Sequence, residues 1–234
     1  MEKLQELADK ITAAGGEAVA VPLDVTDDAQ IEGLFTALRQ HWDGLDGLVH
    51  SIAYAPTEAL DGDFLDGFTR EAFRISQEVS AASFPLLDKA ARPMMKGRNG
   101  SLLTLTYLGA VRTMPNYNVM GMAKASLEAT VRYLAYNLGP DGTRVNAISA
   151  GPIKTLAAKA IAGTATDDAK QLNMLNEYWD GASPIGWDVE DPTAVAKSIC
   201  ALLSDWLPAT TGSIVYVDGG ASHNTWFPEN FLSE

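Results

Sequence analysis

Residues 106–124 read TYLGAVRTMPNYNVMGMAK, and the reading of that stretch decides the rest of the chain. Just before it, Ser101–Leu105 is a short apolar run that suits a buried strand. Gly109, Pro115 and Asn116 then mark a turn-prone segment, after which the chain enters a helix. Tyr117 and Lys124 stand seven residues apart. On a helix that spacing falls roughly 20° short of two full turns and spans about 10.5 Å along the axis. A phenol and an ammonium therefore share one face, and Tyr107, at the strand end, can lean over the same space. An isolated Tyr/Lys pair would be an ordinary amphipathic pair on a solvated helix. The flanking sequence and the second tyrosine argue for a site.

Outward from this stretch, strands and helices alternate. Leu4, Leu7, Ala8 and Ile11 follow the i, i+3, i+4, i+7 pattern of an amphipathic helix that Gly15–Gly16 can end. Ala18–Leu23 is a continuous apolar run of strand length, and Pro22 favours placing it at a sheet edge. A helix with Ile31, Leu34, Phe35 and Leu38 on one stripe follows, then a strand at Gly47–Ile52. Phe68–Lys96 reads as a long helix bent at Pro85, where a backbone donor is missing. The helix after Tyr117 runs from about Asn118 to Leu138 and is stopped by Gly139-Pro140. Arg144–Ser149 and Ser213–Val217 are further strands, with a helix at Pro192–Ser204 between them and a less regular stretch at Lys159–Trp187. This alternation predicts an α/β fold with a doubly wound parallel sheet.

The chain has 234 residues, enough for one well-filled domain over residues 1–234, and no linker-like composition divides it. Its formal charge of -13 argues against nucleic acid or an anionic membrane surface as a partner. No run approaches the ~18–20 apolar residues of a membrane span, and MEKLQELADK is no signal peptide. The single Cys200 makes no intramolecular disulfide, which fits a reducing cytoplasm. His41, His50 and His223 are scattered and suggest no metal site.

Tyr107, Tyr117 and Lys124, within TYLG and NYNVMGMAKASLEA, resemble the active-site segment of the NADH-dependent enoyl-acyl carrier protein reductases. These form the bacterial fatty-acid-synthesis branch of the short-chain dehydrogenase/reductase superfamily. Most of that superfamily spaces Tyr and Lys by four, whereas the position four after Tyr117 is Gly121. The resemblance implies a Rossmann-like sheet and reduction of trans-2-enoyl thioesters, on acyl carrier protein or CoA, by hydride from NADH. It implies that Tyr117 donates a hydrogen bond to the thioester oxygen, and that Lys124 holds the nicotinamide-ribose hydroxyls. Tyr107 would line the acyl pocket, with Ala55 beside the substrate. Asp24 and Val25 match adenine-holding positions, and an acidic Asp24 favours NADH over NADPH. Ser51, Ile52 and Ala53 match the strand end beneath the cofactor. Ile153, Thr155 and Ala157 match the loop over nicotinamide and pyrophosphate, where Gly151-Pro152 suits anion contact. Whether Tyr117 is also the final proton donor stays open.

The last third, with PIGW at 184–187 and LLSDWLPATTG at 202–212, is similar to the long-chain enoyl reductase of mycolic-acid synthesis. Residues 163–171 give comparable extra length over the acyl chain, so medium-to-long chains are expected. Trp179, Trp187 and Trp206 also suit ordinary packing. The two long helices resemble those that pair across subunits in homotetramers; Gly121, Ala123, Ala125 and Ala129 permit close approach, and Trp226, Phe227 and Phe231 are hard to bury in a monomer.

Against the family pattern, the opening strand, glycine-rich turn and helix find no match, so the fold is expected to lack its first β-α-β unit and the chain to bind NADH poorly. Two other readings stand beside the reductase. One is a ketoacyl or alcohol dehydrogenase of the same superfamily, which the seven-residue spacing disfavours. The other is a non-catalytic subunit.

Overall fold

The structure, a computed structural model, describes residues 2–155 and 176–224. It divides into two compact units, Met1–Asp43 and Gly44–Glu234.

The first unit holds two helices. Helix α1, Glu2–Ala13, forms where the periodicity predicts it, yet of its apolar stripe only Ala8 is buried and Leu4, Leu7 and Ile11 are exposed. Helix α2, Asp28–Leu38, is capped by the Asp27 carboxylate, which accepts from the backbone N–H groups of Ala29 and Gln30. It buries Ile31 and Phe35. Between the helices the expected strand at Ala18–Leu23 is not formed. Apolar residues alone do not make a strand: the backbone needs a neighbour to exchange ladder hydrogen bonds with, and these residues take part in none among those described.

The second unit is built on four parallel strands in chain order, β1 (Gly47–His50), β2 (Ser101–Thr106), β3 (Arg144–Ala150) and β4 (Ile214–Val217). β1 ends two residues before the predicted Ile52, because Ser51 and Ile52 find no partner on the extension of β2. Side chains alternate between the faces. Leu103 and Ile148 pack against Val195 and Leu202 of helix α7, Thr193–Leu203. Thr106 reaches to the other face and meets helix α6, Asn118–Leu138. Both faces are thus covered, which explains why SLLTLT is buried almost throughout.

The predicted long helix at Phe68–Lys96 is interrupted. A short α3 (Phe64–Gly67) precedes α4 (Arg70–Gln77), a π-helical turn follows at Glu78–Ala82, and α5 (Ser83–Met95) resumes the α geometry. Pro85 offers no N–H to the carbonyl four residues back and its ring crowds that carbonyl; the widened turn just before it absorbs the conflict. The turn also presents the Ser80 hydroxyl, which accepts from the Tyr54 N–H at 2.8 Å and donates to the Tyr54 carbonyl at 3.0 Å. That pair fixes the loop leaving β1. Of the predicted irregular stretch at Lys159–Trp187, residues 176–182 are helical.

Candidate active site

In a parallel sheet every strand ends on the same edge, so the segments leaving β1, β2 and β3 share one rim of the second unit. Tyr107 leaves β2, and a tight turn at Leu108–Ala110 brings the chain back toward α6. Asn116 and Asn118 take positive φ angles of 58° and 39°, a region asparagine tolerates better than most residues. Between them Tyr117 is turned inward and is 4% exposed. Two glycines make its slot. A Cβ at Gly109 would lie 2.3 Å from Cδ1 of the Tyr117 ring, and one at Gly121 would lie 2.8 Å from the Gly109 carbonyl oxygen. Gly121, read above as a residue for contact between subunits, is occupied inside the chain. Tyr107 meets Tyr117 edge-on, with ring centroids 4.9 Å apart. Ala55 and Tyr117 belong to one apolar cluster, against which Tyr107 and Met114 pack.

Two turns along α6, Lys124 is 6% exposed. Its ammonium donates to the Leu105 carbonyl of β2 at 2.8 Å. Burial lowers its pKa to about 8, against the opposing pull of the Glu128 carboxylate. Glu128 is buried too, and accepts from the Thr106 hydroxyl at 2.8 Å. Burial raises its pKa, with Thr106, Arg132 and Lys124 acting the other way. At the end of β1, His50 spans two hydroxyls, Nδ1 to Thr104 Oγ1 and Nε2 to Ser83 Oγ, each at 2.8 Å. Burial first and the Lys124 charge second bring its pKa down to about 4, so it is neutral at physiological pH.

Glu128, Thr106 and His50 were not singled out by the sequence. Glu128 carried one signal, since it lies one helical turn beyond Lys124 on the same face. His50 carried none, its partners being 33 and 54 residues away.

The remaining predicted residues divide by unit. Asp24 and Val25 lie in the first. Asp24 Oδ1 accepts from the Thr26 N–H at 2.9 Å and the Thr26 hydroxyl at 2.7 Å, and Val25 is buried. In the second unit, Ser51, Ile52 and Ala53 leave β1 and Ala55 is buried. Ile153 and Thr155 follow β3, the first half-buried and the second exposed. Ala157, residues 163–171, and Trp226, Phe227 and Phe231 lie outside the described residues. The structure therefore brings together Tyr107, Tyr117, Lys124 and Ala55.

The tryptophans separate. Trp179 is 1% exposed and packs on Tyr107 with centroids 6.1 Å apart, so it forms one wall of the site. Trp187 is buried beside Gly151, whereas Trp206 is 78% exposed and packs little. A Cβ on Gly151 would fall 2.6 Å from the Trp187 ring, so that glycine is required by the indole.

These residues suit a dinucleotide and an acyl substrate. Lys124 has three donors and spends one on Leu105, leaving two for a vicinal diol. Burial raises the pKa of Tyr117 far above the ordinary phenol value, followed by the effects of Tyr107 and Glu128. Tyr107 is raised as well, chiefly by burial. Both phenols are therefore protonated donors at neutral pH. Among the described residues the Tyr117 hydroxyl has no protein partner, so its proton is available to a ligand. No group of three or more His, Cys, Asp or Glu among the described residues could hold a metal ion.

A family model described as enoyl-(acyl carrier protein) reductase matches residues 1–222. The enoyl-(acyl-carrier-protein) reductase (NADH) FabI of Neisseria meningitidis serogroup B is 51% identical over 224 residues, 96% of this chain and 82% of that protein. The FabI of Escherichia coli is 44% identical, over 94% of this chain and 80% of its own length. Among solved structures, the Aquifex aeolicus enoyl-(acyl-carrier-protein) reductase (NADH) superposes with a TM-score of 0.84 at 41% identity, covering 97% of this chain and 85% of that one. A Bacillus cereus enoyl-acyl carrier protein reductase, solved with NADP+ and indole naphthyridinone, gives 0.84 at 38% identity over 94% and 81%.

Proposed function

We propose, from the premise that this chain belongs to the enoyl-acyl carrier protein reductase family, that it reduces trans-2-enoyl thioesters on acyl carrier protein in fatty-acid synthesis. The observation that carries the reading is the buried group of Tyr107, Tyr117 and Lys124 on one rim of a Rossmann-like sheet. The cofactor is NADH, which the curated relatives are named for; when bound, it supplies the hydride that reduces carbon 3 of the enoyl chain.

The residues of this chain do the rest. As carbon 3 is reduced, negative charge collects on the thioester oxygen. The Tyr117 hydroxyl donates to that oxygen, and its raised pKa keeps the proton on the phenol. A donor already held in place costs no reorganisation at the moment the charge appears. Lys124 holds ribose hydroxyls through its two remaining N–H groups, and its charge favours the developing anion. Tyr107, Trp179 and Ala55 form an apolar wall for the acyl chain and exclude water. Asp24 and Val25 hold the adenine, Asp24 Oδ2 being the oxygen not used by Thr26. Ser51, Ile52 and Ala53, after β1, would contact the cofactor, as would Ile153, Thr155 and Ala157, after β3 in the sequence.

Purified protein should oxidise NADH faster with a trans-2-octenoyl carrier-protein thioester than with an acetoacetyl thioester, and the NADH dependence of that rate tests the poor cofactor binding expected from the unmatched opening segment. Tyr117→Phe should lower kcat about 10²–10³-fold, the usual loss for one oxyanion donor. Preference for the acetoacetyl substrate, or full activity in Tyr117→Phe, would refute the assignment.

The family match runs through both units, which supports reading residues 1–234 as one reductase domain. No described helix is long and apolar enough to cross a membrane, and we place the reaction in the cytoplasm. A homotetramer is supported by the outward face of α6, where Met122, Tyr133 and Tyr136 are exposed in line with Ala125. Tyr136→Glu should dissociate it in analytical ultracentrifugation; an unchanged sedimentation coefficient would argue for assembly through another face.

A further inference from the structure

We infer that Trp187 is a positioning residue for the loop at residues 151–155, holding it in the one arrangement in which it can cover the cofactor. The inference rests on the reading that Ile153 and Thr155 contact NADH.

A loop leaving the end of a strand needs something to fix it once the ladder stops. The ladder ends at Gly151, whose N–H donates to the Val217 carbonyl at 2.8 Å. Beyond that point one segment, residues 187–190, makes three contacts to the loop. The indole N–H of Trp187 donates to the Pro152 carbonyl at 2.8 Å. The Lys154 N–H donates to the Val189 carbonyl at 2.8 Å, and the Lys154 ammonium pairs with Glu190. The indole also fills the place a side chain at Gly151 would need, 2.6 Å from its Cβ position. Polar contact and ring together leave the loop little freedom to lift or slide.

Trp187 is fixed in turn from the acyl side of the site. Its own N–H donates to Asp180 Oδ1 at 2.9 Å, and the Val189 N–H donates to Asn176 Oδ1 at 3.1 Å. Both acceptors lie in the helical residues 176–182, which also carry Trp179 against Tyr107. A buried indole N–H needs an acceptor, and the carbonyl that supplies it is tied to the ring. Here the donor, at 9% exposure, goes to the residue immediately before Ile153.

Trp187→Phe keeps an aromatic ring and removes the donor. It should raise the KM for NADH about tenfold, the equivalent of one net hydrogen bond, with kcat changed less than about twofold. Hydrogen exchange should speed up at the Lys154 amide. Gly151→Ala crowds the indole and should do the same. In the double variant the smaller ring makes room for the added methyl, so the combined effect should fall below the product of the two. Thr155→Val tests the underlying reading: if it leaves the NADH KM unchanged, the loop assignment fails whatever Trp187 does. If Thr155→Val raises that KM while Trp187→Phe changes neither KM nor amide exchange, the positioning role is wrong. Should Trp187→Phe not fold, Gly151→Ala decides, and a normal NADH KM there overturns the proposal.

Discussion

The two ends of strand β2 each bury an ionisable group, and they treat it in opposite ways. At the carboxyl end, Lys124 and Glu128 are surrounded by partners: Leu105 and Thr106 from β2 make hydrogen bonds to them, and His50 lies near enough for its titration to respond to Lys124. At the amino end, Asp88 of α5 is 2% exposed and neither carboxyl oxygen finds a hydrogen-bond partner among the described residues. It lines a small cavity with Leu102, Leu138 and Thr143. Arg92, one turn further along, lines the same cavity but pairs with Asp141, at 2.6 Å, rather than with Asp88. Where the proposed chemistry needs a buried charge, the fold supplies partners. Where it does not, the carboxyl is left to stay neutral.

The largest effect should come from removing the charge at the supported end. Lys124→Ala deletes the cation proposed to hold ribose and favour the developing anion. It also leaves the Leu105 carbonyl and Glu128 uncompensated. We expect kcat/KM to drop at least about a hundredfold, read from initial rates at saturating and limiting NADH. A smaller loss than for Tyr117→Phe would mean that the phenol works without the ammonium.

Glu128→Gln should act through Lys124 rather than on substrate, and its signature is a pH profile. Lys124 is brought to about 8 by burial, and Glu128 is the group pulling it upward. In the parent enzyme the NADH-dependent rate should therefore fall as pH rises through about 8, as the ammonium loses its proton. Without the carboxylate that limb should move to lower pH. Other groups bear on this cluster. His50 is neutral, Arg132 faces Glu128, and the Tyr117 and Tyr216 hydroxyls respond to Glu128 but titrate higher. At pH 8 the variant should be several-fold slower than at pH 6.5 relative to parent. A loss uniform across pH would make Glu128 a packing residue only.

The same contrast marks what could be read from the sequence. The stretch from Ser101 to Leu138 was legible because its signals are local: a run apolar on both faces, a turn with Asn116, and a helix ended by Gly139-Pro140. The bonds that complete the site are not local. Thr106 and Glu128 are 22 residues apart, and Trp187 and Pro152 are 35. No periodicity announces such pairs. Ala18–Leu23 failed for the complementary reason, since strand character depends on a neighbour as well as on composition. The π-helical turn at Glu78–Ala82 escaped because Pro85 signals a bend without saying how the backbone absorbs it.

The smallest effect belongs to the unsupported end, and there the sign distinguishes it. Burial raises the Asp88 pKa well above its ordinary value of 3.8. The folded protein therefore holds a proton that the unfolded chain releases near that value, and folding stability falls as pH rises from there toward the folded pKa. Asp88→Leu removes the proton and the desolvated oxygens together, in a cavity already lined by Met95, Leu102 and Leu138. We expect the variant to be more stable than the parent at pH 8, by about 2–4 °C in Tm for each kcal/mol relieved. The gain should shrink steadily on acidification, as the parent recovers its proton in both states. Thermal unfolding at intervals between pH 4 and 8 gives the comparison. An advantage that stays constant with pH would reflect better filling of the cavity alone, and a loss at pH 8 would mean that Asp88 has a partner in solution after all. Because Asp88 lies at the far end of β2 from Lys124, kcat/KM for the enoyl thioester should be unaltered. Any change there would show that the two ends of the strand are coupled.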